Sequence, residues 1–272
     1  MNQLDQGSIL FGICSEKYPS TRCYGIIISA SCDIANCKVP KLYYLVAVDA
    51  QEWFSTETGY NQVYTEKVNN LFSQLKAEAD KHSLSATLLK NFTDEEFELI
   101  IGLEIPKDKD QKKIRSIYQK YRTFSQLNMN DEQRKAAIRT DKEPIIKFLE
   151  KISKGEIVHF YYLPQGAYRK DGAKNKGLIV DLQEIEMLPL GDAANLQSPG
   201  IDYLVLPNQS PDEQERLKKH YWLRNKDDFV AIDGIISSPW REHLMQRFSH
   251  GFIRIGIDGA TIEDYSQLAN TI

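Results

Sequence analysis

Leu42-Tyr43-Tyr44-Leu45-Val46-Ala47-Val48 is an unbroken apolar run dense in aromatic and β-branched side chains. Such residues suit a pleated strand, and turn-forming residues border the run on its N-terminal side. Working outward, Gly25-Ile26-Ile27-Ile28-Ser29 and the short run Ser8 to Ile13 read the same way. The segments between them, SEKYPSTR with Pro19 and SCDIANCKVPK with Asp33, Asn36 and Pro40, read as loops. The first fifty residues are therefore three strands joined by loops.

The pattern then changes. Val68, Leu71, Phe72, Leu75 and Ala79 fall at helical spacing, as do Ile114, Ile117, Tyr118, Tyr121 and Phe124. Ile145, Ile146, Leu149 and Ile152 form a third stripe, with Pro144 suited to a first helical turn. Shorter helices are expected at 94–101 and 131–139. Strands return at Glu156 to Leu163 and Gly177 to Leu188, with further strand candidates at Tyr203 to Leu206 and Asp228 to Ile236. Helices are expected at Asp212 to Leu223 and Trp240 to Ser249, the latter with Ser238 as cap and Pro239 at its first position. The strand-like GFIRIGI follows at 251–257. The simplest arrangement is one β-rich domain formed by residues 1–60 and 156–272, with a helical insertion at 61–155. The alternative is an N-terminal hairpin unit, a helical domain and an independent C-terminal α+β domain. Short antiparallel strands between turns favour a small barrel over a parallel sheet.

The chain has 272 residues, 42% of them hydrophobic and 26% charged, with a net charge of -4. This composition excludes collagen-like and strongly disordered chains. The sequence holds no apolar run of membrane-spanning length, and MNQLDQGSIL lacks a basic region followed by an apolar stretch. A cytoplasmic protein with no membrane partner is the expectation. Cysteines at 14, 23, 32 and 37 make no CxxC pair, so free thiols are expected rather than disulfides or structural zinc.

Residues 107–154 carry a clear excess of Lys and Arg over Asp and Glu. Lys112, Lys113, Arg115, Lys120 and Arg122 there, and Arg169, Lys170, Lys174 and Lys176 in the loop YRKDGAKNK, are candidate nucleic-acid contacts, because basic groups neutralise phosphates. The other reading is the solvated face of amphipathic helices, or contact with an acidic partner. GxxxxGK[ST], GxGxxG after a strand and HExxH are all missing, so no nucleotide cofactor or metal is implied. His243 and His250 stand two helical turns apart, too far to share one ion. Cys32 beside Asp33 would need a histidine within hydrogen-bond reach to act as a nucleophile. Asp181, Glu184 and Glu186 are acids on one strand, where alternation sets Glu184 and Glu186 on one face. A cysteine- or metal-dependent hydrolase is the alternative these residues leave open. Tyr43, Tyr44, Tyr161 and Tyr162 read as core by default, or as stacking platforms for bases.

Gly7-Ser8-Ile9, a loop, Arg22-Cys23-Tyr24-Gly25-Ile26-Ile27-Ile28-Ser29, then Asn36 and the run at 42–48, resembles the opening of the PemK/MazF family of small barrel toxins. GLIVDLQEIEMLPL and the helix at 239–250 with GFIRIGI resemble later parts of that family. The resemblance implies an α+β fold with a small antiparallel SH3-like β-barrel, here interrupted by the helical insertion. It also implies a bacterial stress-response or phage-defence module and metal-independent cleavage of single-stranded RNA. Arg22 matches the arginine that supports the phosphate, a task suited to a permanently charged, bidentate guanidinium. Ser29 and Asp49 are the candidate helpers, Asp49 as a base at the end of the third strand. Two readings follow: a metal-independent endoribonuclease using Arg22, Ser29 and Asp49, or a non-catalytic binding subunit. The partners would be single-stranded RNA or DNA, another protein, or a second copy of the chain.

Overall fold

A computed structural model describes residues 4–36, 38–125, 131–139, 142–168, 177–197 and 200–253. The chain divides into two units, 1–53 with 151–272, and 54–150. The helical insertion thus begins and ends a few residues before the positions that periodicity suggests.

The first unit contains β1 (Ser8–Ile13), β2 (Cys23–Ile27), α1 (Ser31–Ala35), β3 (Lys41–Asp49) and α2 (Ala50–Trp53). The second holds α3 (Glu57–Asp80), α4 (Ala86–Leu89), α5 (Asp94–Glu104), α6 (Asp108–Ser125), α7 (Asp131–Arg139) and most of α8 (Glu143–Lys154). The first unit resumes with β4 (Phe160–Leu163), β5 (Leu178–Pro189), α9 (Leu190–Gln197), β6 (Ile201–Asp202), α10 (Pro211–His220), β7 (Phe229–Ile235) and α11 (Trp240–Ile253).

Seven strands form one antiparallel sheet in the order β4-β5-β3-β2-β1-β7-β6. The run at 42–48 lies in an interior strand, β3, which explains why it is apolar nearly throughout: both faces of the strand are covered. Alternate residues build one core, from Ile9, Tyr24, Ile26, Leu45, Ala47, Tyr161, Leu163, Leu178, Val180 and Leu182. Leu244, Met245 and Phe248 of α11 pack on that face. Leu10, Ile27, Leu42, Tyr44, Val46, Val48 and Ile179, the intervening residues, are buried as well. Period-two burial on both faces is the mark of a central sheet with two covered sides.

The sheet is mixed with helices in an α+β fold, but it is open. β4 and β6 are its two ends and do not pair, so among the described residues the strands do not close into the expected SH3-like barrel. Those end strands have four and two residues, too little ladder to close a sheet. Three further expectations need correction. Tyr203 to Leu206 is a 3-10 turn rather than a strand, because Asp202 accepts a bond from the Leu204 N–H at 2.9 Å and Pro207 cannot donate to a ladder. Glu156 to Leu163 is extended only over its second half. Residues 251–253 continue α11 instead of starting the strand GFIRIGI, and 254–257 lie outside the described residues.

In the helical unit two of the three stripes meet, while the third is displaced: Ile146 is exposed, and Phe148, which the stripe omits, is buried in α8. Leu75, Ala79, Phe97, Ile101, Ile114 and Tyr118 form the unit's core, with Phe72, Ile117 and Tyr121 at the margin. Phe97 and Tyr118 stack at 3.6 Å between centroids, nearly parallel. Thr93 caps α5 reciprocally with Glu96: the Glu96 N–H donates to Thr93 Oγ1 at 3.2 Å, and the Thr93 N–H to Glu96 Oε2 at 2.8 Å.

Candidate functional site

Arg22 enters the sheet just before β2, where the loop from Cys14 returns. Its guanidinium is bonded to the Asp228 carboxylate and lies over the Phe11 ring at 5.2 Å from the centroid. Asp228 is buried, at 3% exposure, and its second oxygen accepts the backbone N–H groups of Arg224 at 2.8 Å and Asn225 at 2.7 Å. The Arg224 guanidinium stacks on Trp222 at 3.6 Å and donates to the Pro19 carbonyl at 2.7 Å. Arg22 is thus held by an acid, as the simplest reading of a loop arginine requires, but by one 206 residues away in sequence.

The other two candidate catalytic residues are also bonded locally. Asp49 Oδ1 accepts the N–H groups of Gln51 at 2.9 Å and Glu52 at 3.3 Å, capping α2. Ser29 Oγ accepts the Tyr43 N–H at 2.8 Å and finishes the β2–β3 ladder. The register of that pair, Tyr24 with Ala47 through Ile27 with Tyr44, carries Arg22 toward Asp49 and sets Ser29 at the far end. Ser29 stands seven positions after Arg22, across the whole of β2, roughly 23 Å at strand rise. Arg22 and Asp49 share a neighbour in Glu52, whose carboxyl is raised by burial and by Asp49 and lowered by Arg22. The structure brings Arg22 and Asp49 to one end and leaves Ser29 at the other.

A second polar cluster joins the loop after β1 to a break in β5. Residues 181–184 stand opposite the single Val46, because pairing shifts from Ala47 with Val180 to Leu45 with Ile185. This bulge turns Asp181 inward, to 1% exposure. Lys17 Nζ lies 2.5 Å and Tyr18 Oη 2.8 Å from Asp181 Oδ2, and Trp53 Nε1 donates to Tyr18 Oη at 3.4 Å. Ser15 Oγ donates to Glu184 at 3.3 Å, and Tyr44 Oη to Glu186 at 3.1 Å. Burial pushes the Glu186 carboxyl up and Glu184 adds to this, against the opposing Tyr44 bond. Beyond it, Asp192 is clamped by Arg216 at 2.7 and 2.9 Å and by Tyr221 Oη at 2.7 Å. Burial alone would raise the Asp192 carboxyl, but these bonds outweigh it and hold it low.

Chemistry that needs a thiolate or a metal finds little here. Burial raises the thiols of Cys14 and Cys23, the opposite of activation. Cys32 is exposed, and its Sγ donates to Asp33 at 3.7 Å, a carboxylate rather than an imidazole. His243 Nδ1 pairs with Tyr161 Oη at 3.1 Å in a packing role. Among the described residues no three His, Cys, Asp or Glu side chains stand close enough to hold a metal ion. Cys14, Cys23 and Cys32 are free thiols, and Cys37 lies outside the described residues.

In the helical unit four of the five candidate cations have acidic partners. Lys112 pairs with Asp108 at 2.7 Å, Lys113 with Glu78 at 2.8 Å, Arg115 with Glu98 at 2.7 Å and Arg122 with Asp94 at 3.6 Å. Lys120 is exposed. Arg169, Lys170, Lys174 and Lys176 lie outside the described residues. Of the four tyrosines, Tyr44 and Tyr161 are core residues, Tyr162 is half-buried, and Tyr43 is 47% exposed. Sequence reasoning missed Asp228, Arg224 and Lys17; Asp228 and Arg224 border a turn, and no periodicity marks them. No helix among the described residues is long and apolar enough to cross a membrane. No family model, no curated protein and no solved structure matches the chain.

Proposed function

We propose that the protein is a non-catalytic binding subunit, in the stress-response or phage-defence setting that the barrel-toxin resemblance implies. One observation carries this reading. Arg22, Ser29 and Asp49, the side chains a metal-free ribonuclease would use, are each bonded within the fold and are divided between the two ends of β2. Cleavage without a metal requires a base within hydrogen-bond reach of the attacking hydroxyl and a cation at the same phosphate. A guanidinium neutralised by a buried carboxylate, beside an Asp49 whose carboxylate caps α2 and with Ser29 at the other end of the strand, does not provide that convergence. A binding subunit requires only a stable surface.

The test is incubation of a long single-stranded RNA with protein in excess and EDTA present, wild type beside Arg22→Ala, with mobility of the intact RNA followed in parallel. Intact RNA in both samples supports the reading; retarded RNA then identifies nucleic acid as the partner, and unretarded RNA turns the search to a protein. Fragments that form with the wild type and vanish with Arg22→Ala overturn it in favour of the endoribonuclease.

A further inference from the structure

We propose that Arg22 and the backbone N–H groups of Arg224 and Asn225 form an oxoanion site that the protein keeps filled with its own Asp228, and that a phosphate group is the external ligand able to replace that carboxylate. The inference rests on the binding-subunit reading and names one site for it and the chemistry that site would take. Two successive backbone N–H groups aimed at one oxygen make a nest, a concavity with partial positive charge that receives anionic oxygens. The guanidinium closes it from the other side on Oδ1 of Asp228, while the two N–H groups meet Oδ2. Two oxygens of one oxoanion are therefore met by three donors, the pattern used for phosphate as much as for carboxylate.

The corner is open to solvent on the side of the turn. Asp228 is buried, but residues 224–227 are exposed and the Arg22 side chain is about one-third exposed. Lys226 and the stacked guanidinium of Arg224 lie on the same turn. The acids facing the corner are Asp228 itself, Asp227 on the turn, and Glu52 within electrostatic range of Arg22. With Asp228 withdrawn, the cradle would present Arg22, Arg224 and Lys226 to a ligand carrying up to two negative charges.

The experiment titrates inorganic phosphate into the full chain at constant ionic strength, with chloride as control, and reads melting temperature. Asp228→Ala is expected to melt below the wild type, to be raised saturably by phosphate and not by chloride, and to bind phosphate about tenfold more tightly than the wild type. Arg22→Gln added to Asp228→Ala should remove the gain. A folded Asp228→Ala protein that responds to phosphate no more than to chloride overturns the proposal. If Asp228→Ala does not fold, the amide resonances of Arg224 and Asn225 in the wild type serve instead. Their saturable movement with phosphate, lost in Arg22→Gln, supports the site, and their immobility overturns it. A single-stranded oligonucleotide arm separates the sources: tighter binding than inorganic phosphate identifies a backbone phosphate, and equal or weaker binding a free phosphate or monoester. None of these readings depends on RNA cleavage, so the two proposals fail separately.

Discussion

Lys17 Nζ and Asp181 Oδ2 stand 2.5 Å apart and join the loop after β1 to the bulge in β5. The lysine is 31% exposed and the aspartate 1%, so the carboxylate bears most of the desolvation. Tyr18 and the Gln183 N–H complete its shell. Asp181→Ala leaves the Tyr18 hydroxyl buried without its acceptor and should destabilise the protein by about 2–4 kcal/mol. Urea denaturation measures this, and a loss under about 0.5 kcal/mol would show that the cluster is incidental to stability.

Glu78 of α3 is buried and bonded to Lys81 at 2.9 Å and Lys113 at 2.8 Å. The hydrogen bonds from these lysines hold its carboxyl below the ordinary value, against burial. A depressed folded value means stability that is present above the unfolded value, about pH 4.3, and lost as pH falls through the folded one. Glu78→Gln should therefore narrow the stability difference between neutral and acid pH. Unfolding midpoints from about pH 2.5 to 7 decide it, and superimposable slopes for the two proteins would refute it.

Phe97 is fully enclosed in the helical core and stacked on Tyr118. Phe97→Ala removes that ring and leaves a cavity among Leu75, Ile101 and Ile114, at about 3–5 kcal/mol. Loss of helical circular dichroism at lower denaturant is the expected result. An unchanged midpoint would mean that the unit's stability lies elsewhere.

Gly12 occupies φ +91° at the irregularity between β1 and β2, and a Cβ there would sit 2.7 Å from the Phe229 carbonyl oxygen. Both strain and collision oppose a side chain, so Gly12→Ala should cost about 1–3 kcal/mol. Gly102 has open space around it and sits within α5, so Gly102→Ala should stabilise by about 0.5–1 kcal/mol. Thermal melts of the two variants should move in opposite directions; a shared direction refutes the local account.

Much of the architecture is legible because local pattern and burial agree. The run at 42–48, the second half of the stripe at 68–79 and the stripe at 114–121 occupy the core positions their spacing implies, while Val68 and Leu71 are only half-buried. Sheet closure is not legible, since it depends on the length of the end strands, and a sequence like EIVHFYYL carries the composition of a strand twice as long as β4. The bulge at 181–184 also hides, because alternation assumes a constant register and four residues there face one. At the candidate site, Arg22 and Asp49 are picked out by the barrel-toxin resemblance, not by any local pattern. Asp228 is not, because it meets Arg22 only after the chain has folded across most of its length.

Phe54 and Phe148 meet edge-on, with ring centroids 6.3 Å apart, at the beginning and near the end of the helical unit. The unit therefore leaves and rejoins the chain through a closed neck, and to the sheet it behaves like a short connection. Leu42 must find Leu188 across more than a hundred residues of chain. Once residues 54–150 have folded, roughly two-thirds of that span no longer counts as flexible loop, which lowers the entropic penalty of pairing by about 1 kcal/mol. The folded insertion thus shortens the effective path between the two halves of a sheet that it interrupts in sequence.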